Sequence, residues 1–370
     1  MTMEAATIPD TMTAAVFHGR GDVRIEHRPV PVPGPGQALV RVLRSGICGT
    51  DATEFKSGPI MFPIERPHPI SGHQGPLVIG HEFVGEIVAL ADDAASEFAI
   101  GDRVASGAGV SCGECDRCLE GRTNLCQRYV THGLNIDGGL AEYVAVATST
   151  LVRIPPNCSL DDAGVAQPLA VGLHAARRAG VRDGDRVILF GAGAIGTFIL
   201  AGLVSLADAE IIVVDFAGER LDRALRIGAA HVVAAESDVE VALRELVGPR
   251  GADVVIEATG APGQLARALD FVRPGGTILG VGLPSGAQEL DVHRLVLSEV
   301  SILTTVAHVC DEDLWPALQI LARTDLGDEL VEAVYGLDAV PEQLGRLAGG
   351  QIRGKVLFDP TRSPEHAHAA

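Results

Sequence analysis

The sequence lacks a long hydrophobic run, an excess of basic residues and an export signal. No apolar stretch in the 370 residues approaches the roughly 20 residues that span a membrane as a helix. Lysine and arginine total 29 against 48 aspartates and glutamates, a formal charge of −19, which argues against nucleic acid or an anionic membrane as partner. The N-terminal stretch "MTMEAATIPDTMTAAVF" has no basic segment followed by an apolar core. We therefore expect a cytoplasmic protein without nucleic acid or membrane as a partner.

The chain is long enough for two domains, and its texture changes twice. Residues 1–165 are rich in glycine, proline and β-branched residues, with strand-like stretches such as "FVGEIVAL". Residues 166–308 alternate short apolar runs such as "DRVILF" and "EIIVVD" with amphipathic stretches, which predicts βαβ units and a doubly wound parallel sheet. Residues 309–370 are mixed and include the strand-like "GKVLF". The predicted fold class is α/β, with a Rossmann sheet beside a β-rich part.

The stretch "GAGAIG" has the G-x-G-x-x-G pattern between a predicted strand and a predicted helix. The first glycine allows the tight turn, the second lets backbone N–H groups approach a pyrophosphate, and the third allows the helix to pack closely on the strand. An aspartate ends the next predicted strand, where a carboxylate binds ribose hydroxyls. A glycine-rich turn without a nucleotide is the alternative. The favoured interpretation is a dinucleotide site formed by Gly191, Gly193, Ala194, Ile195, Gly196 and Asp215.

Asp215 also bears on the choice between NAD and NADP. Its carboxylate would repel a 2′-phosphate, which favours NAD, although Arg220 and Arg223 nearby weaken this preference. Two later strand ends, "EATG" with Thr259 and "VGLP" with Val281, lie where the nicotinamide end of a cofactor would bind. Ordinary punctuation between strand and turn explains these two almost as well.

Cysteine is sparse but concentrated in one stretch. Four of the seven cysteines, Cys112, Cys115, Cys118 and Cys126, fall within "CGECDRCLEGRTNLC". In a chain without an export signal such a cluster indicates a metal rather than disulfides. Four thiolates at these spacings can close a tetrahedral zinc site, whereas an iron–sulfur cluster usually has a shorter last gap followed by proline. We predict a structural zinc in a lobe at about residues 110–128.

Two shorter motifs contain further residues of the types that bind metals. "GICGTD" contains Cys48, Thr50 and Asp51, and "GHE" contains His81 and Glu82. Cysteine and histidine are common zinc ligands. On residue type alone, however, a buried thiol and a core histidine explain these motifs better than a metal site.

Taken in order, "GICGTD", "GHE", the four-cysteine stretch, "GAGAIG" and "GKVLF" resemble the zinc-dependent medium-chain dehydrogenase/reductase family of alcohol and polyol dehydrogenases, over about residues 12–360. The segment "GPIMFPIERPHPISGHQGPLVIGHE" is most similar to the butanediol dehydrogenase-like branch. The resemblance implies a Rossmann NAD-binding domain at 166–308 inserted into a β-rich GroES-like catalytic domain formed by 1–165 and 309–370. It also implies a homodimer or homotetramer, and a contact of Arg353 with the cofactor pyrophosphate.

The resemblance further implies a catalytic zinc, so that two zinc ions would be bound per chain. Cys48 and His81 would bind this zinc, and Glu82 would be either a direct ligand or a neighbour of it. Thr50 would hydrogen-bond the substrate hydroxyl, and Asp51 would orient His81.

Two positions depart from the family pattern. Gln167, in "QPLAV", stands where many relatives have a glutamate that touches the zinc or its water. We expect Gln167 to neighbour or bind the catalytic zinc, its neutral amide leaving the site less negative. Thr53 stands where many relatives have a histidine that passes the substrate proton to solvent, and Glu54 is a candidate substitute. His308 is a weaker candidate for a substrate contact.

The predicted function is hydride transfer between a secondary alcohol, a vicinal diol or polyol, and NAD, with NADP less favoured. One alternative is a biosynthetic dehydrogenase of a sugar, cyclitol or amino alcohol on the same fold. Another is a non-catalytic scaffold. The retention of the whole set argues against the scaffold: Cys48, Thr50, Asp51, His81 and Glu82.

Overall fold

The computed structural model describes residues 8–94 and 97–362. Residues 1–7, the first part of the N-terminal stretch in which no export signal was expected, lie outside the described residues. The chain divides into two compact units, Met1–Gln167 with Cys310–Ala370, and Pro168–Val309. In the described part of the chain, no helix is long and apolar enough to cross a membrane.

The strands, in chain order, are β1 (Thr11–Gly19), β2 (Asp22–Pro29), β3 (Gln37–Gly46), β4 (Leu77–Val78), β5 (Glu82–Leu90), β6 (Arg103–Ser106), β7 (Gly109–Val110), β8 (Val130–Thr131), β9 (Tyr143–Ala147), β10 (Leu151–Arg153), β11 (Arg186–Phe190), β12 (Glu210–Asp215), β13 (His231–Ala234), β14 (Ala252–Glu257), β15 (Val272–Gly280), β16 (Ser301–Thr304), β17 (Val331–Tyr335) and β18 (Lys355–Phe358). The α-helices are α1 (Gly49–Ser57), α2 (Asp116–Leu119), α3 (Leu160–Ala163), α4 (Ala166–Ala179), α5 (Ala194–Leu206), α6 (Glu219–Ile227), α7 (Val239–Val247), α8 (Gln264–Ala268), α9 (Val292–Leu297), α10 (Cys310–Leu321), α11 (Leu326–Leu330) and α12 (Val340–Ala348).

The second unit contains a parallel sheet in the order β13-β12-β11-β14-β15-β16. Its central strands are continuous apolar runs and are buried, as expected when helices cover both faces of a parallel sheet. The order reverses between β11 and β14, and such a switch point is where doubly wound sheets bind their ligands. The Rossmann prediction is therefore confirmed.

The stretch "GQLARALDFVRPGG" contains both a helix and the start of a strand. α8 ends at Ala268, and β15 already begins at Val272. The register of β15 on β14 shifts between the pairings of Ala252 and Val254. Proline has no N–H for a helix, and Gly275 adopts φ +69°, so "RPGG" bends a strand instead of extending a helix.

The first unit is built mainly on antiparallel strands from both parts of the chain, and β17 and β18 pair in parallel. Its largest sheet has the order β10-β6-β5-β3-β18-β17, with β9 also paired to β3. C-terminal β18 pairs with β3, and β3 pairs with β5 along most of its length. The C-terminal segment thus lies in the same sheet as the strands that flank "GICGTD" and "GHE".

A buried ionic cluster occupies the amino-terminal edge of the Rossmann sheet. Asp253 on β14 is 4% exposed, accepts a hydrogen bond from the backbone N–H of Arg186 and forms ion pairs with Arg250 and Arg273 at 2.6 Å each. Burial alone would raise the pKa of Asp253, but these three groups together hold it below its usual value. This carboxylate stabilises the sheet at the edge opposite the glycine-rich turn.

Candidate active site

The four cysteines of the predicted lobe converge. Their sulfur atoms all lie within 4.8 Å of one another, with Cys112–Cys118 at 3.9 Å, Cys115–Cys118 at 3.6 Å and Cys115–Cys126 at 3.9 Å. Four sulfurs at a Zn–S distance of about 2.3 Å around a tetrahedral ion would be roughly 3.8 Å apart. The four thiols are free, and their spacing fits a zinc ion.

The surroundings of these sulfurs favour thiolates, the form that binds metals. A hydrogen bond from Arg128 lowers the pKa of Cys112 to about 6. Backbone N–H donors lower the pKa of Cys115, and the N–H groups of Cys112 and Arg128 both point at the sulfur of Cys126. Burial nevertheless raises the pKa of Cys126 to about 11. A bound cation would favour the thiolate form of this fourth cysteine as well.

A second cluster lies in the first unit. The ligand atoms of Cys48, His81 and Glu82 lie within 4.8 Å of one another. Cys48 is the N-cap residue of α1 in extended conformation, and His81 lies between β4 and β5 with Glu82 as the first residue of β5. Pairing of Gly46 with Glu82 across β3 and β5 brings the two motifs together.

Asp51 and His81 fit a metal at this position. Asp51 is 1% exposed and accepts a hydrogen bond from the backbone N–H of Cys48 at 2.8 Å. Its Oδ1 lies 3.7 Å from His81 Nδ1, and both atoms are buried without a hydrogen-bond partner. Although burial lowers the pKa of His81, the charges of Asp51, Cys48 and Glu82 raise it to about 10. A divalent metal would supply positive charge beside these groups, and Asp51 lies where it can orient the ring of His81.

Sequence reasoning missed Lys355. Its Nζ lies 2.5 Å from both carboxylate oxygens of Glu82 and donates to the carbonyl of Ile47 at 3.0 Å. Both side chains are buried, and Glu82 keeps the pKa of Lys355 above its usual value against the effect of burial. Arg353, for which the family resemblance implies a contact with the cofactor pyrophosphate, is exposed, and its backbone N–H donates to Glu332.

Four glycines that sequence reasoning also missed set the backbone before His81. Gly80 adopts φ +95°, and the N–H of Gly139 donates to its carbonyl at 2.8 Å. A Cβ atom on Gly138 would lie 2.2 Å from the carbonyl oxygen of Gly80, and one on Gly133 would lie 2.4 Å from the same carbonyl. The loop from Thr131 to Leu140 therefore packs directly on the turn that carries His81, at a distance only glycine permits.

The other predicted residues of the first unit differ in exposure and in hydrogen bonding. Thr50 is half-buried in the first turn of α1. Thr53 is exposed, and its hydroxyl donates to the carbonyl of Gly49 at 2.8 Å. Glu54 is 1% exposed and accepts from the N–H groups of Ile60 and Met61, so it shapes the following loop and is not available as a proton acceptor. Gln167 is the second residue of α4 and half-buried.

The glycine-rich turn of the second unit has the geometry that each glycine was expected to allow. Gly191 adopts φ +99°, and a Cβ on Gly196 would lie 1.9 Å from its carbonyl oxygen. Gly193 is the N-cap of α5 with open space around it, and Ala194 and Ile195 form the first turn of that helix. The free N–H groups of this turn can receive a phosphate.

Asp215 ends β12 and is 8% exposed. Its carboxylate accepts from the N–H groups of Ala192 at 2.6 Å and Phe216 at 2.7 Å. Arg220 lies 3.5 Å from Asp215 Oδ1, whereas Arg223 is buried. Asp215 is therefore fixed beside the glycine-rich turn, as a ribose-binding carboxylate must be.

Two further strand ends lie at the same edge of the sheet. Thr259 follows β14 and Val281 follows β15, and a Cβ on Gly191 would lie 3.0 Å from the methyl group of Thr259. The two later strand ends are thus contiguous with the dinucleotide turn. His308, by contrast, is 3% exposed near the end of the second unit, and its substrate contact stays a prediction.

Two families match this chain. The Alcohol dehydrogenase GroES-like domain matches residues 34–156, and the Zinc-binding dehydrogenase family matches residues 194–323. Sorbitol dehydrogenase of Bacillus subtilis (strain 168) is 35% identical over 302 residues, which are 80% of this chain and 82% of that protein. (R,R)-butanediol dehydrogenase of the same organism is 31% identical over 354 residues, which are 94% of this chain and 100% of that protein.

Solved structures agree in fold over most of the chain. The crystal structure of 2R,3R-butanediol dehydrogenase from Bacillus subtilis has a TM-score of 0.87 at 29% identity, covering 95% of this chain and 100% of that one. An alcohol dehydrogenase from E. coli CFT073 complexed with NADH has a TM-score of 0.85 at 25% identity, with coverage of 95% and 100%. A zinc-binding dehydrogenase from Sinorhizobium meliloti 1021 bound to NADP has a TM-score of 0.82 at 26% identity, with coverage of 95% and 100%.

The glycine packing beside His81 gives the first prediction. In Gly138→Ala the added Cβ must displace the carbonyl of Gly80, so we expect His81 to move and alcohol oxidation to fall by more than about tenfold. Zinc per chain should decrease by up to one ion while the four-cysteine lobe keeps its own. Gly345→Ala, on α12 with open space around the new Cβ, is the matched control and should retain activity. Full activity and zinc in Gly138→Ala would contradict the positioning role.

Proposed function

Because this chain belongs to the zinc-dependent alcohol dehydrogenases of the medium-chain family, we propose that it oxidises a secondary alcohol of the vicinal diol or polyol class with NAD. The observation that carries the proposal is the convergence of Cys48 and His81, with Asp51 behind the histidine. The substrate class rests on the relatives, a sorbitol and a butanediol dehydrogenase.

We propose two zinc ions per chain. The four cysteines of the lobe would hold one, closed and without an open position. Cys48 and His81 would hold the other, with the amide of Gln167 as a neighbour. When bound there, zinc supplies Lewis acidity that lowers the pKa of an alcohol hydroxyl.

Glu82 is proposed to stand beside the metal rather than to bind it. Lys355 lies against both oxygens of its carboxylate and offsets its negative charge. The neutral amide of Gln167 adds none. Because fewer negative charges surround the substrate oxygen, loss of the hydroxyl proton is favoured. The amide at 167 therefore suits an active site and is not a sign of a lost one.

The proton is proposed to pass from the substrate hydroxyl to Thr50 and then directly to water. Thr53 holds its own hydroxyl proton on the carbonyl of Gly49, and Glu54 is occupied by loop N–H groups. Gly49 and Thr53 are exposed, so solvent reaches the start of α1. When bound, the nicotinamide would accept a hydride from the carbon that bears the hydroxyl group, so that the alcohol would become a ketone and NAD would become NADH.

The cofactor is proposed to lie along the carboxyl edge of the Rossmann sheet. The pyrophosphate would lie on the N-terminus of α5, the ribose on Asp215, and the nicotinamide near Thr259 and Val281. Arg220 would flank the ribose, and the pyrophosphate contact that the family resemblance implies for Arg353 stays a prediction.

A homodimer or homotetramer is proposed through the open edge of the same sheet. Among the described residues, β16 is the end strand of the sheet and pairs with β15, and α9, which precedes it in the chain, exposes Val292, Val296 and Leu297 by 64%, 69% and 73%. An apolar edge of this kind is protected by pairing with a second copy. A purely monomeric protein in sedimentation analysis would contradict this.

The free thiols agree with the proposed cytoplasmic location.

Asp215 decides the cofactor preference. We expect Asp215→Asn to reduce the preference for NAD over NADP by about tenfold or more, because the amide no longer repels a 2′-phosphate that Arg220 can approach. Ratios of kcat/KM for the two cofactors measure the effect. Asp222→Asn, on the neighbouring helix α6, is the control and should keep the wild-type ratio. An unchanged ratio in Asp215→Asn would show that another group selects the cofactor.

The proposed function is tested by NAD reduction at 340 nm with diols and polyols, alongside zinc content. Wild type should bind two zinc ions and turn over. Gln167→Glu should keep both and turn over about tenfold more slowly, because the new charge opposes proton loss. Gln351→Glu, at an exposed glutamine, should behave as wild type. The proposal is wrong if wild type lacks the second zinc and Gln167→Glu gains both zinc and activity.

A further inference from the structure

We propose that Glu257 is a positioning residue for the nicotinamide cofactor. Its buried carboxylate holds two strand-end turns, the one with Thr259 and the one with Val281, in the shape that the cofactor requires. The inference rests on the proposed cofactor site and deepens it, because Glu257 need not touch the cofactor itself.

The first turn is organised around one carboxylate oxygen. Glu257 is the last residue of β14 and is 3% exposed. Its Oε1 accepts from the backbone N–H of Thr259 at 2.7 Å and that of Gly260 at 3.0 Å, and also from the hydroxyl of Thr259. The same hydroxyl oxygen accepts from the N–H of Ala261 at 3.0 Å. Both the backbone and the side chain of Thr259 are therefore fixed by Glu257.

The second turn is attached to the backbone of the same residue. The carbonyl oxygen of Glu257 accepts from the N–H groups of Val281 at 2.8 Å and Gly282 at 3.0 Å. A Cβ on Gly282 would lie 2.1 Å from the nitrogen of Gly260 and 2.7 Å from Glu257 Oε2. The two turns are thus packed on each other and on the carboxylate, with no room for a side chain between them.

The chemistry of the residue argues for more than sheet stability. A buried carboxylate is costly unless it is well bonded, and it is a stronger acceptor than an amide or a hydroxyl. At the opposite end of β14, Asp253 balances its charge against Arg250 and Arg273. The partners of Glu257 Oε1 are instead N–H and O–H groups of the turn that presents exposed Thr259 at the ligand-binding edge. The carboxylate of Glu257 therefore fixes the shape of the turn at the carboxyl end of β14.

The test compares Glu257→Gln and Glu257→Ala with wild type in NADH affinity by fluorescence titration, zinc per chain and melting temperature. We expect the Kd for NADH to rise about tenfold in Glu257→Gln, since a neutral acceptor holds the turn less firmly, and further in Glu257→Ala. Zinc per chain should be unchanged, and the KM for NAD should rise more than kcat falls.

Asp253→Asn is the matched control, because Asp253 is buried on the same strand, β14, but near its opposite end. It should lower the melting temperature and leave the Kd for NADH unchanged. Wild-type NADH affinity in Glu257→Gln, or an affinity loss in Asp253→Asn as large as in Glu257→Gln, would overturn the inference alone. A wild-type protein that binds neither NADH nor NADPH would overturn the proposed function as well.

Discussion

The buried ion pair between Glu82 and Lys355 is the interaction on which the first unit depends. Lys355 begins β18, and its ammonium group reaches both the carbonyl of Ile47, directly before Cys48, and the carboxylate of Glu82, directly after His81. One side chain thus ties together the two segments that would hold the metal. Removing one partner of such a pair typically costs about 3–5 kcal/mol, because a charge stays buried without compensation.

The ion pair also links the stability of the fold to the chemistry of the site. Cys48, Asp51 and Glu82 bring negative charge to a pocket that is largely closed to water, and Lys355 is the cation that reduces it. Packing then fixes the directions of His81 and Glu82. The loop with Gly138 and Gly139 packs on Gly80, and β3 holds Gly46 against Glu82. In the second unit, Glu257 has the corresponding place at the carboxyl edge of the sheet. In both units a buried carboxylate supports residues that would meet the ligands.

The sequence was informative wherever chemistry is carried by a short local pattern. The four cysteines and "GAGAIG" with Asp215 could be identified because their spacing along the chain reflects their spacing in space. "GICGTD" and "GHE" were weak motifs on residue type alone, and only the resemblance of the whole pattern to the family pointed to a metal there. Lys355 and Glu82 are 273 residues apart, and no periodicity links them; the arginine two residues earlier was the more conspicuous basic residue. Gly138 was equally invisible, because its contact with Gly80 depends on how two loops cross. Glu257 looked like ordinary strand punctuation, since its role lies in which N–H groups its side chain accepts.

We propose that Cys48 and His81 hold zinc while Lys355 keeps Glu82 beside it. The affinity of this site for zinc, measured by chelator competition in wild type, Lys355→Met, Glu82→Gln and the double variant, distinguishes this arrangement from one in which Glu82 binds the metal. We expect Lys355→Met to bind zinc about tenfold or more tightly, since Glu82 becomes free to bind the metal, and we expect Glu82→Gln added to it to remove the gain. Unchanged affinity in Lys355→Met, together with loss of zinc in Glu82→Gln alone, would show that Glu82 is already a ligand and would overturn the proposed arrangement.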